Sequence, residues 1–161
     1  MRSALRLPLS LLTLAAVILA VAAPVAARDE VVFRGRLDGT VMVTPLDPPL
    51  ASVHIEASGN ATQLGRFTLE IPHLVNQAAR MGSGTYVFTA ANGDTLTATF
   101  TGLATLVEPG VLTTHETAVI IGGTGRFEGA TGSFTADRTF YVATGVTVGT
   151  FEGTISSPGA G

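Results

Sequence analysis

The stretch Val119-Ile120-Ile121-Gly122-Gly123-Thr124-Gly125-Arg126-Phe127-Glu128-Gly129-Ala130-Thr131-Gly132-Ser133-Phe134 reads as two strands folded back on a glycine-dense turn. Its glycines supply positive φ angles and close backbone approach without a Cβ penalty, as a tight, bulged strand connection requires. Phe127 is the one large apolar side chain in that turn and is expected to fold back as a plug over one end of a β core.

Outward from the turn, apolar residues alternate with Thr, Arg or Glu from Arg28 onward, and no window longer than about eight residues keeps a 3.6 period. Phe33, Gly35, Leu37, Gly39, Val41 and Val43 share one side of a first strand. The proline-bearing loop from Thr44 to Leu50 ends it, because proline has no N–H for a ladder. Val53, Ile55, Ala57 and Gly59 point inward on a second strand, and Phe67, Leu69 and Ile71 on a third that Pro72 is expected to disrupt. Residues 76–84 read as a polar, glycine-bearing connection. Thr85 to Thr101 is the strongest local signal: Tyr86, Phe88 and Ala90 face one way, Asn92-Gly93-Asp94 turns the chain, and Leu96, Ala98 and Phe100 continue the face. Leu112 to Ile121, Thr131 to Val142 and Val146 to Ile155 complete about eight strands, with breaks expected near Leu103 and in the first segment.

Eight strands at hairpin spacing fit an all-β barrel or a sandwich, and closure is favoured because a lone sheet would leave two unpaired edges. Glycines on inward faces, at Gly35, Gly39, Gly59, Gly132 and Gly153, are expected where a small barrel bends. The predicted interior is Phe33, Leu37, Val53, Ile55, Phe67, Leu69, Phe88, Leu96, Phe100, Ile120, Phe134, Phe140, Phe151 and Ile155.

At the other end of the chain, Arg2 and Arg6 precede an apolar run from Leu11 to Ala23, broken only by Thr13, with small residues at Val25 and Ala27. This is the pattern of a secretory signal peptide cleaved after Ala27, too short for a comfortable membrane span, with an uncleaved anchor as the alternative. The expected product has 161 − 27 = 134 residues. It is one barrel domain over 28–157 with a flexible tail at 158–161, located outside the cytoplasm, periplasmic or secreted, with no stable membrane insertion. Its seven Arg against twelve acids leave a net charge near −5, which argues against nucleic acid as a partner. The chain has no cysteine, so disulfide scaffolds and thiol enzymes are excluded and stability must come from the core and strand pairing.

The run Gly122 to Gly132 resembles the glycine turn shared by plant allene oxide cyclases and dirigent proteins. More closely, the chain is similar to bacterial secreted barrels of the allene-oxide-cyclase-like kind. Those barrels carry segments like Ala61-Thr62-Gln63-Leu64-Gly65-Arg66-Phe67-Thr68 and Thr89-Ala90-Ala91-Asn92-Gly93-Asp94-Thr95-Leu96, and endings like Gly149-Thr150-Phe151-Glu152-Gly153-Thr154-Ile155. The resemblance implies a calycin-like, eight-stranded antiparallel barrel with a hydrophobic interior. The matching residues are turn and scaffold, so it carries no catalytic residues across.

Named catalytic patterns are missing. Glu128 stands where a dinucleotide fingerprint needs its third glycine, there is no Lys for a P-loop, and there is no Gly-x-Ser-x-Gly elbow. His54, His73 and His115 lack short ligand spacing, so neither a metal nor a cofactor is expected and they read as solvent-facing. The candidate site lies on the strands flanking the glycine turn. Phe134, Ala136, Arg138, Phe140 and Val142 share a face. If Ile121 pairs near Thr131, Glu116 falls opposite Ala136 and diagonal to Arg138. A buried pair there would hold a polar ligand group or act as acid and base. The alternative is a bulge that slips the register by one residue and exchanges the faces, or a hydrated position at the rim. Tyr86 is the other inward polar group, read as core with its hydroxyl near an end. Glu116, Arg138, Tyr86, Phe134 and Phe140 are therefore the expected ligand-binding residues of a barrel that takes a small hydrophobic ligand or serves as an interaction scaffold. An isomerase or cyclase acting on a lipid-like or phenolic substrate in the same pocket is the alternative, and self-association stays open.

Overall fold

A computed structural model describes residues 29–156; the signal-peptide and cleavage readings and the tail at 158–161 lie outside the described residues. Eight strands form a closed antiparallel barrel in simple meander order: β1 (Glu30–Pro45), β2 (Leu50–Ala61), β3 (Gly65–Asn76), β4 (Met81–Ala90), β5 (Thr95–Glu108), β6 (Val111–Gly123), β7 (Gly132–Tyr141) and β8 (Val146–Ser156), with β8 pairing back onto β1. A 3-10 turn, Gly125–Phe127, lies between β6 and β7. Closure leaves no strand edge unpaired, which removes the main aggregation hazard of an all-β chain.

Several boundaries differ from the sequence expectation. Pro72 does not end β3; it lies within the strand, opposite His54 of β2, while the ladder to β4 skips from Glu70–Val87 to His73–Gly84. The missing N–H interrupts one ladder and spares the other. Met81 to Gly84 is strand rather than connection, and β1 and β5 run unbroken, β5 straight through Leu103. Ser156 closes β8, where it is buried and exchanges hydrogen bonds with Thr131. The bulge anticipated near the glycine turn is on the β5 side of β6, between Thr97 and Ala98, so the β6–β7 register is undisturbed.

The interior is crowded with rings. Phe33, Phe67, Tyr86, Phe88, Phe100, Phe134 and Phe151 form one network with centroids 4.9–6.1 Å apart. A small barrel has no room for large side chains on every strand. The solution is size complementarity across each ladder: Phe134 faces Gly153, Phe151 faces Gly35, Phe67 faces Gly59 and His73 faces Gly84. The inward glycines thus make space for partners as well as bends.

One end of the barrel is sealed. Phe127 is fully buried there, with the Arg126 guanidinium 4.8 Å from its ring centroid. Arg126 also donates to the Leu64 carbonyl at 3.2 Å, and the Asp94 carboxylate accepts from the Arg126 backbone N–H at 3.3 Å, tying three connections together. Gly125 has φ +58°, a backbone conformation that favours glycine, and a Cβ there would displace the Asp94 carboxylate from its contact with the turn. At the opposite end the inward residues Leu112, Thr114 and Phe140 are only half-buried and Val43 is exposed.

Gly153→Ala would place a Cβ 2.8 Å from the Phe134 Cβ and closer still to the Ser133 carbonyl. It is expected to lower stability by about 1–3 kcal/mol in denaturant titration. Gly82→Ala, whose Cβ would meet its nearest atoms at 3.5 Å, should change it by no more than about 0.5 kcal/mol.

Candidate functional site

Alternation along β6 and β7 sends Glu116 and Arg138 inward. The register places Glu116 opposite Ala136 and Thr114 opposite Arg138. Both charged side chains are buried, at 3% and 4% exposure, so the pair is inside the barrel and away from its rim. Arg138 grips the carboxylate with a fork: Nε donates to Glu116 Oε2 at 3.2 Å and Nη2 donates to Oε1. Its third nitrogen, Nη1, donates to Thr147 Oγ1 at 3.4 Å, and that hydroxyl donates onward to the Thr139 carbonyl at 3.2 Å. The Tyr86 hydroxyl donates to Glu116 Oε2. Tyr86 therefore has its hydroxyl within the barrel at the ion pair, and not near an end. Space for the cluster comes from glycine again: a Cβ on Gly149 would sit 2.5 Å from Arg138 Cγ, and one on Gly102 would strike the Glu116 side chain.

The electrostatics follow from this geometry. Burial, then the Glu116 carboxylate, raises the Tyr86 pKa far above the ordinary phenol value, so the phenol stays protonated as a donor. For Arg138 burial opposes the charge, but the attraction of Glu116, with Tyr86 adding to it, outweighs that and raises the pKa overall. The cluster is thus a fixed dipolar floor. Both oxygens of Glu116 are occupied, leaving the carboxylate poorly placed as a general base.

Phe134 packs on the Tyr86 ring at 5.4 Å and is fully enclosed. Phe140 departs from the expected core: it is on the inward face but only half-buried, because β7 ends at Tyr141 and the barrel is opening there. His73 departs from the solvent-facing expectation. Pro72 occupies the outward position beside it, and the imidazole points in, 5.5 Å from the Phe100 ring, with Nδ1 at 2.9 Å from the Ile71 carbonyl oxygen. His115 does face solvent, paired with Asp137 at 2.7 Å, and His54 is near Glu56 at 3.8 Å. Thr147, Thr114 and His73 are the site residues that sequence reasoning left out. The same alternation that exposed Arg138 marks all three, since Thr147 shares a face with Gly149 and Phe151, and Thr114 with Glu116. A groove of about 1470 Å³ is lined by the outward residues Arg36, Asp38, His115, Asp137 and Glu152 and also by Thr114 and Arg138, among others.

No protein-family model and no curated protein matches the chain. Among solved structures, a pterocarpan synthase dirigent protein is similar over 89% of this chain and 99% of its own, with a TM-score of 0.58 at 14% sequence identity. That likeness shows a shared dirigent-like barrel fold.

Glu116→Leu or Arg138→Met alone strands a buried charge and should cost about 3–5 kcal/mol of unfolding free energy, whereas the two together should recover most of it. Denaturant titration of the three variants checks this. A second expectation concerns His73, whose pKa is lowered from 6.5 first by burial and further by Arg138, the Ile71 carbonyl and Glu116 opposing. Below pH 6.5 the unfolded chain takes up a proton that the folded imidazole resists, so stability should decline as the pH falls from there towards the lower folded value. Thermal melts between about pH 7 and 5.5 should show that slope, reduced in His73→Phe.

Proposed function

We propose that this chain is an exported barrel that binds a small hydrophobic ligand through its open end, with Arg138, Glu116 and Tyr86 as a polar floor. Phe134 backs the floor and Phe140 stands at the entrance. The observation that carries this reading is a buried ion pair, hydrogen-bonded to Tyr86 and Thr147, enclosed in an otherwise apolar barrel. Stability gains little from it, since apolar residues of similar volume often serve about as well. The cluster is in the unsealed half, where the half-buried Leu112 and Phe140 and the partly buried Val41 and Val75 form apolar walls above it. An apolar site with a few convergent polar groups is the usual form of a small-molecule site. Export from the cytoplasm is part of the proposal and rests on the N-terminal pattern of Arg2, Arg6 and the run from Leu11 to Ala23.

A second reading is favoured by the fold likeness to the dirigent protein. In it the same mouth holds a reactive lipid-like or phenolic substrate and steers its ring closure by excluding water and fixing orientation. The occupied state of Glu116 supports orientation over proton transfer.

Native mass spectrometry of the protein purified from its own host's exported fraction should show a stoichiometric small-molecule adduct, absent from the Glu116→Leu/Arg138→Met double variant. Recovery of the molecule unchanged supports binding; conversion that depends on Glu116 or Arg138 supports the steering reading. A clean apo mass with no uptake of hydrophobic probes overturns both and leaves an interaction scaffold.

A further inference from the structure

We infer that the molecule taken by the open end is a neutral apolar compound carrying one oxygen acceptor, such as a ketone or alcohol, seated between Thr114 and a remaining N–H of Arg138. This inference rests on the binding reading above and names its ligand class. Thr114 is the cross-strand partner of Arg138, so the two side chains share the inward face, with Cβ atoms about 4.5–5.5 Å apart. Its Oγ1 is buried and makes no hydrogen bond among the described residues. A buried hydroxyl without a partner is unfavourable, and a ligand atom would satisfy it. Arg138 has matching capacity. A guanidinium carries five N–H groups; one from Nε and one from Nη2 go to Glu116 and one from Nη1 to Thr147, and with the Tyr86 hydroxyl also against the guanidinium at least one N–H is left for a ligand.

Charge decides the rest. Glu116 already neutralises Arg138, Tyr86 keeps its proton, and the nearby His73 is held towards its neutral form by burial. The cluster has no net charge to offer. A ligand carboxylate would be withdrawn from water without compensation, whereas a carbonyl or hydroxyl oxygen would accept from Arg138 and from the Thr114 hydroxyl.

The test compares decane, decan-2-one and decanoate by calorimetric or fluorescence-displacement titration at about pH 7.5, on the mature protein and on Thr114→Val. The ketone is expected to bind about tenfold tighter than either of the others. Thr114→Val, close in shape, should cut that advantage to less than about threefold while leaving decane affinity and Tm undiminished. Decanoate binding as tightly as the ketone, or an advantage that survives in Thr114→Val, overturns the assignment while leaving the binding reading intact. Uptake of none of the three overturns the binding reading and this inference with it.

Discussion

A guanidinium and a carboxylate, both removed from water, hold the centre of this barrel and set conditions that the rest of the chain must meet. Each buried charge needs hydrogen-bond partners on all sides, and here they come from four strands: Tyr86 on β4, Glu116 on β6, Arg138 on β7 and Thr147 on β8. No local segment could assemble that set, because Tyr86 and Glu116 are 30 residues apart in sequence. The cluster therefore depends on closure of the barrel, and closure in turn depends on glycine at Gly102 and Gly149, where any side chain would intrude on the pair. In a low-dielectric interior the arrangement is sound only when complete.

The two ends of the barrel have been treated differently. At one, Phe127, Arg126, Asp94 and Leu64 lock three connections into a cap over the aromatic network. At the other, inward side chains become half-buried or exposed. A chain under selection for stability alone would have no reason to place its ionic cluster in the unsealed half. The asymmetry leaves the ionic cluster nearer the end where inward side chains are less buried, and the proposed binding of a small molecule, or steering of a reactive one, rests on that placement.

Much of this was legible beforehand where a signal was local. The Thr85 to Thr101 hairpin, the plug role of Phe127 and the inward faces of β6 and β7 all follow from alternation and turn chemistry, and the opposition of Glu116 and Ala136 follows from counting back from the turn. Where reading failed, a neighbour had intervened. Pro72 looked like a strand breaker because nothing in the sequence says which ladder its missing N–H would face. His73 looked solvent-facing because its burial depends on Gly84 across the sheet and Phe100 beyond it. Phe140 looked like core because alternation reports the face of a strand and says nothing of depth along the barrel.

By itself, then, the sequence determined the strand count, the faces and the local turns, since period-two alternation and glycine placement act over a few residues. Only the tertiary structure decided depth and partnership: which inward residues are sealed, which stand at the mouth, and that Tyr86, Glu116, Arg138 and Thr147 converge. Those depend on shear and on closure between strands distant in sequence, quantities that arise when the sheet meets itself and have no local signature.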